Sequence, residues 1–445
     1  MLMKKKVLTL IALLIICLTV VSAMASEASD ANLAGKNYVV FNIDKISTAA
    51  LEKFEKDPAV LNYCLIDDKL IAVCEKDKWP VTPQSAKRLR TLAAKKDLSE
   101  PFIATRRGSR SPLDEYRDQI NVLYASGPYT IFQAPMFVVN EILKKENNHF
   151  RVQKFDQNLV LRISSKYFEA SFVAPADVPS AEVNVDRLKG YARALVDFKT
   201  RYSYGKGYEN AARFAVEEFK KLGYEAKLSE YKDGGRTQYN VVAQKSFAGV
   251  SNFYIVCGHL DSTSNNAMTD APGADDNASG SAGVLEIANI VAKTPDANKF
   301  RFVLFAGEEV GLRGSNAYVR QLTADGELSR VLGVVNFDMI GFDKTAPLSS
   351  LFETHEFSKP FITNFINEAA KKGILKVTVS YNAWGSDHIA FLKAKVPCFL
   401  FIEDEFEENT TYHKTTDKIE FVNFSLSAEI VRVTAQTLLN LVATK

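Results

Sequence analysis

The sequence has little cysteine, no excess charge of either sign and few of the short motifs that name an enzyme class. Of its five cysteines, no pair has metal-ligand spacing, so a thiolate metal module is excluded. A formal net charge of +2 over 445 residues leaves no polybasic surface to argue for nucleic acid or a membrane. No His-Glu-x-x-His is present: His355-Glu356 is followed by Phe357-Ser358-Lys359 and lacks the second histidine. Ser279 and Ser281 lie among glycines, but no Gly-x-Ser-x-Gly elbow surrounds them, which argues against a serine nucleophile.

The unbroken apolar run Val7–Val21, broken only by Thr9 and Thr19, is too short for a comfortable membrane span. It follows Lys4-Lys5-Lys6 and precedes Ala23-Met24-Ala25, the pattern of a cleavable export signal over residues 1–25. Ile16 before Cys17 argues against lipid anchoring there. The expected location is therefore secreted or periplasmic, with no stable membrane anchor and no nucleic-acid partner. Cys64 and Cys74 flank a hairpin-like segment where an exported protein can keep a disulfide. Cys257 and Cys398 sit in apolar, strand-like runs and read as buried thiols.

Length and composition allow two or three domains. Residues 26–173 read as an N-terminal α+β domain, with strands at Tyr38–Ile43, Ile120–Phe132 and Arg151–Ile163, a hairpin between Cys64 and Cys74, and helices at Ala49–Lys56 and Met136–Lys145. A prosegment or docking role suits it, and it offers no catalytic chemistry. Its basic stretch Arg106–Pro112 reads as a solvated loop. Ala174-Pro175-Ala176-Asp177-Val178-Pro179-Ser180 marks a linker over 174–182. From 183 to 445 strands and helices alternate. Helices are expected over Val185–Lys199, Gly207–Leu222, Ser281–Ala292, Pro360–Lys371 and Ser425–Val442. Strands are expected over Tyr239–Gln244, Phe253–Val256, Phe302–Phe305, Val331–Phe337 and Cys398–Ile402. Continuous apolar strands imply a mostly parallel sheet covered on both faces, a three-layer α/β/α architecture. In such sheets ligands bind beyond the carboxyl ends of the strands.

The polar clusters fall there. Gly258-His259-Leu260-Asp261-Ser262 and Gly273-Ala274-Asp275-Asp276-Asn277-Ala278-Ser279-Gly280 follow one apolar run. Gly307-Glu308-Glu309, Asn336-Phe337-Asp338 and Tyr412-His413 follow others. His259, Asp276, Glu309, Asp338 and His413 make two imidazoles and three carboxylates, too many for one tetrahedral zinc and suited to two ions sharing a carboxylate. Two such ions activate a water and polarise a carbonyl together. The adjacent Glu308 is free to carry the proton from that water to a leaving amine. Gly307 and Gly311 allow the tight turn this needs, and Asp261 is placed to hold the His259 ring. Asp275 reads as a loop cap, Asp387-His388 as hydrogen-bonding support, Trp384 as pocket lining or packing, and Glu403–Glu408 as a solvated acidic loop.

With Gly385-Ser386-Asp387-His388 and Tyr412-His413-x-x-x-Asp417 added, the set resembles the secreted double-zinc aminopeptidases, over roughly Val183–Leu441. The same family includes the glutamate carboxypeptidases. The resemblance implies that His259 and Asp338 bind one zinc, that Glu309 and His413 bind the other, and that Asp276 bridges, followed by a cis peptide. It makes Glu308 the general base and Tyr412 a donor to the developing oxyanion. The implied partner is a peptide substrate. Carboxypeptidase action needs a cationic pocket, for which only Arg313 and Arg320 stand near in sequence. Glutaminyl cyclases share the fold with a single zinc. A ligand-binding module that has lost its metal is disfavoured by the intact set of five.

Overall fold

The computed structural model describes residues 36–75, 87–95, 97–108, 111–147, 149–168, 178, 180–246 and 252–443. The expected export signal, residues 1–25, and most of the expected linker, 174–182, lie outside the described residues. These residues fall into two compact units. The first takes residues 36–106 and 111–159; the second takes Arg107, Gly108 and the described residues from 160 onward.

The first unit holds two antiparallel sheets. One orders Val60–Asp67, Lys69–Glu75, Lys36–Asn42 and Lys87–Thr91. Its hairpin turns at Asp67-Asp68 as the sequence implies. Cys64, however, stands opposite Ile71, and Cys74 opposite Val60. The register therefore keeps the two cysteines from facing each other, and both are free, buried thiols. The other sheet orders Asn121–Ser126, Tyr129–Gln133, Phe102–Arg106 and Phe150–Lys154. Helix Met136–Leu143 lays Val138, Val139 and Ile142 on Phe102, Phe132 and Phe150. Two expected strands are corrected here. Ile120–Phe132 is a hairpin broken at Gly127-Pro128, and Arg151–Ile163 is two strands in different sheets. Gly127-Pro128 and Asp156-Gln157-Asn158 are the turn-forming residues that make the two breaks.

The second unit is built on a mixed sheet in the order Glu225–Asp233, Arg236–Gln244, Phe300–Phe305, Phe253–His259, Val331–Phe337, Cys398–Glu403, Leu348–Thr354, Leu375–Ser380 and Leu159–Ser164. The centre, from Phe300–Phe305 to Cys398–Glu403, is parallel. The flanks include antiparallel pairs. Successive side chains of a strand point to opposite faces. Phe253, Ile255 and Cys257 pack with Tyr318 and Leu322 of helix Arg313–Ala324 and Phe391 and Leu392 of helix His388–Lys393. Tyr254 and Phe302, one step out of phase, stack on Phe361 and Phe219 of helices Lys359–Lys372 and Lys206–Lys221. The sheet thus lies between two helical layers, as expected. The sequence reading had passed over the amphipathic helix Arg313–Ala324 and the strands Glu225–Asp233, Leu348–Thr354 and Leu375–Ser380, which are polar enough to read as loop.

Strand Phe253–His259 has the next strand in sequence on one side and Val331–Phe337 on the other. The winding reverses there, and the carboxyl ends of these strands diverge into a crevice.

Candidate metal centre

That crevice collects all five proposed ligands. His259 ends its strand, Asp338 follows Phe337 directly, and Glu308-Glu309 lie just past Phe305. His413 comes from the loop beyond Cys398–Glu403 with φ of 55°. His259 Nε2 stands 3.1 Å from Asp276 Oδ1 and 3.2 Å from Asp338 Oδ1. His413 Nε2 stands 3.0 Å from Asp276 Oδ2 and 3.0 Å from Glu309 Oε2. Two triads therefore share Asp276, which offers one oxygen to each.

The donors fit a pair of cations. His259 Nδ1 faces the Asp261 carbonyl at 3.0 Å. A carbonyl only accepts, so Nδ1 carries a proton, and Nε2 is the ring atom that faces two carboxylate oxygens. Both Glu309 oxygens are buried and accept no hydrogen bond. Acceptors converging on acceptors call for positive charge between them. The electrostatics agree. Burial opposes charge on His259 and His413, yet their carboxylate neighbours, Asp338 and Glu309 foremost, raise both well above the ordinary imidazole value. Burial pushes Asp276 up, but the two histidines outweigh it and hold Asp276 below the usual carboxylate range. Glu309 is pushed up to about 7 by burial and by Asp276. Burial likewise raises Glu308, with Asp338 and Glu309 adding to it against the pull of His259.

The loop that carries Asp276 is tied down from three directions. Gly273 enters it at φ of 51°, and a Cβ there would stand 2.4 Å from the Asp276 carbonyl. The Asp276–Asn277 peptide is cis. Asp417 accepts from the Asp275 and Asp276 amides, each at 3.0 Å. Arg201, fully buried, donates to the carbonyls of Leu260, Pro272 and Gly273 at 2.8, 2.7 and 2.8 Å. Asn277 donates to the Phe337 carbonyl at 2.9 Å, coupling this loop to the strand that ends at Asp338.

Asp261 supports the site differently from the sequence reading. Its carbonyl orients His259. Its carboxylate takes the Ser203 hydroxyl and the amides of Glu308 and Glu309, both at 3.3 Å, and so fixes the turn at Gly307, where φ is 70°.

Three further readings change. The supporting bond beside Asp387-His388 comes from Ser386, whose hydroxyl lies 2.6 Å from Asp338 Oδ2; the Asp387 oxygens and His388 nitrogens have no partner. The acidic stretch is not a solvated loop. Glu403 and Asp404 are buried. Glu403 accepts from the Phe342 amide, and Asp404 takes Arg162 at 2.9 Å. Asp275, beside Glu403, keeps the capping role expected of it: Asn409 bridges it to Glu403 at 2.9 and 3.3 Å. Lastly, the basic stretch 106–112 holds one buried residue. Arg107 is 5% exposed and pairs with Glu353 at 3.0 Å. Tyr412 stacks on His413 with ring centroids 3.9 Å apart.

Fold and site together define an α/β unit with a candidate metal centre at the carboxyl ends of its central strands. Residues 240–438 match the model of peptidase family M28. Over 230 residues the chain is 29% identical to leupeptin-inactivating enzyme 1 of Streptomyces exfoliatus, covering 51% of this chain and 50% of that protein. It is 26% identical over 294 residues to leucine aminopeptidase 1 of Ajellomyces capsulatus, covering 60% of this chain and 73% of that protein. The chain thus spans about half the length of the first of these relatives. In fold it is similar to a zinc aminopeptidase from Bacillus subtilis, with TM-score 0.51 at 16% identity over 58% of this chain and 95% of that one. It is also similar to a glutaminyl cyclase from Fimbriiglobus ruber, with TM-score 0.50 at 19% identity over 60% and 99%.

Proposed function

We propose that this protein is a zinc-dependent aminopeptidase that removes N-terminal residues from peptides, exported by way of its N-terminal segment. The observation that carries the reading is the pair of triads sharing Asp276. His259, Asp276 and Asp338 would hold one zinc, and His413, Asp276 and Glu309 the other. When bound, zinc supplies Lewis acidity that activates water and polarises the scissile carbonyl.

The chain's own residues complete the reaction. Glu308 takes a proton from the attacking water as its oxygen bonds to the carbonyl carbon. The C–N bond then breaks, and Glu308 returns the proton to the departing amine nitrogen. Tyr412 is placed beside His413 to donate to the carbonyl oxygen as charge develops there. Asp261 holds the two glutamates apart in role by fixing the amides of both. The relatives' printed names support the aminopeptidase reading, and no described helix is long and apolar enough to cross a membrane.

A panel of aminoacyl and N-blocked peptides tests the reaction. Cleavage confined to free N-termini is expected. Release of residues from the carboxyl end, or ring closure of N-terminal glutamine without hydrolysis, would replace this reading with a carboxypeptidase or a cyclase.

A further inference from the structure

Arg107 lies far outside the residues that match the peptidase family, yet it belongs to the catalytic unit. Its guanidinium is committed to three hydrogen-bond acceptors and two aromatic rings. Nη2 donates to Glu353 Oε2 at 3.0 Å and to the Trp384 carbonyl at 2.9 Å, and Nη1 donates to the Gly385 carbonyl at 3.3 Å. Cζ sits 5.0 Å over the Trp384 ring and 5.6 Å over Phe406. Burial works against this charge, but Glu353, then Tyr412, Asp338 and Glu308, hold the guanidinium above its ordinary value. Those groups place Arg107 in electrostatic reach of the metal centre.

The contacts lead to both triads. Gly385, held through its carbonyl, precedes Ser386, which donates to Asp338 Oδ2 at 2.6 Å. Gly108, with φ of 76°, lies so close to Tyr412 that a Cβ would stand 3.1 Å from Tyr412 Cδ1. Tyr412 in turn stacks on His413. Asp338 and His413 belong to different triads. One two-residue segment thus reaches Asp338 through Gly385 and Ser386, and His413 through Tyr412.

We propose that Arg107-Gly108 is a brace for the metal centre, with Arg107 the positioning residue that sets Asp338 through the Trp384–Ser386 turn and Gly108 the spacer that sets His413 through Tyr412. The inference rests on the zinc-site reading above. A plain alternative is that Arg107 only neutralises the buried Glu353. The double variant R107M/E353Q separates the two, because it removes both charges and still abolishes the bonds to the carbonyls of Trp384 and Gly385.

The test uses the full chain and two readouts: zinc affinity by chelator competition, and kcat with KM on an aminoacyl p-nitroanilide. Support groups around a metal typically account for about 10–100-fold in affinity or activity. A loss of that size in zinc affinity and in kcat, with KM little changed, is expected for R107M/E353Q. If that protein fails to fold, G108A gives the second reading, with the same direction expected from displacement of Tyr412. Wild-type zinc affinity and kcat in R107M/E353Q, or in G108A where that variant decides, would overturn the brace. A wild-type chain that takes up no zinc would overturn the site reading and the brace together, which distinguishes the two failures.

Discussion

At the scale of single residues, the site is a set of acceptors with one group left over to move a proton. Glu308 and Glu309 are neighbours in sequence, but only Glu309 faces His413 at 3.0 Å. Glu308→Gln is therefore expected to keep bound zinc and to lose about 10²–10⁴-fold in kcat, the usual contribution of a placed acid–base group. Metal analysis alongside steady-state kinetics checks it, and unchanged kcat would remove Glu308 as the base. Asp417 shows a different dependence. Its carboxylate is the acceptor for two buried amides, and an unmet buried donor costs about 1–3 kcal/mol. Asp417→Ala should lower unfolding stability by about 3 kcal/mol in urea titration, with weaker zinc binding. The five candidate ligands stand out in the sequence as histidines and carboxylates that follow apolar strands, and His259, Asp276 and Glu309 also lie among glycines. Arg107 and Arg201 do not, since a lone arginine has no spacing partner, and its role arises from carbonyls brought to it by the fold. Asp417 was visible within Tyr412-His413-x-x-x-Asp417, but only the tertiary contact gives it work.

At the scale of elements, the site depends on loops held at strand ends. The segment 272–280 has no room for added atoms. A Cβ on Gly273 would meet the Asp276 carbonyl at 2.4 Å and Ser262 Cβ at 2.5 Å, at a φ that strains other residues. Gly273→Ala should thus displace Asp276, lowering zinc affinity more than Gly234→Ala, where nothing lies within 4 Å of an added Cβ although φ is also positive. The chelator-competition ratio of the two variants measures this, and equal affinities would contradict it. The central strands were legible here because their apolar runs are buried on both faces. The flanking strand Glu225–Asp233 was not, because its exposed positions are polar, and neither was Leu375–Ser380, which is mostly buried but carries Lys376, Thr378 and Ser380. The breaks in 120–132, a hairpin, and 151–163, two strands of different sheets, fall at Gly127-Pro128 and Asp156-Gln157-Asn158, turn-forming residues that the sequence displays.

At the scale of the whole molecule, folding and metal binding are linked, because the donors of both triads come from segments far apart in sequence. A ligand that binds only the folded state at 100 times its dissociation constant adds about 2.7 kcal/mol. Removing zinc with a chelator should accordingly lower the unfolding midpoint, and restoring zinc should return it. The membership of Arg107 and Gly108 in the second unit was not legible in the sequence, since it depends on contacts more than two hundred residues away. The most direct measurement is the zinc content of the purified chain compared with that of His259→Ala. Two equivalents, with metal lost in the variant and cleavage of free N-termini lost with it, is the predicted result. A single equivalent in the wild type, or full occupancy and normal activity in His259→Ala, would contradict the paired-cation account.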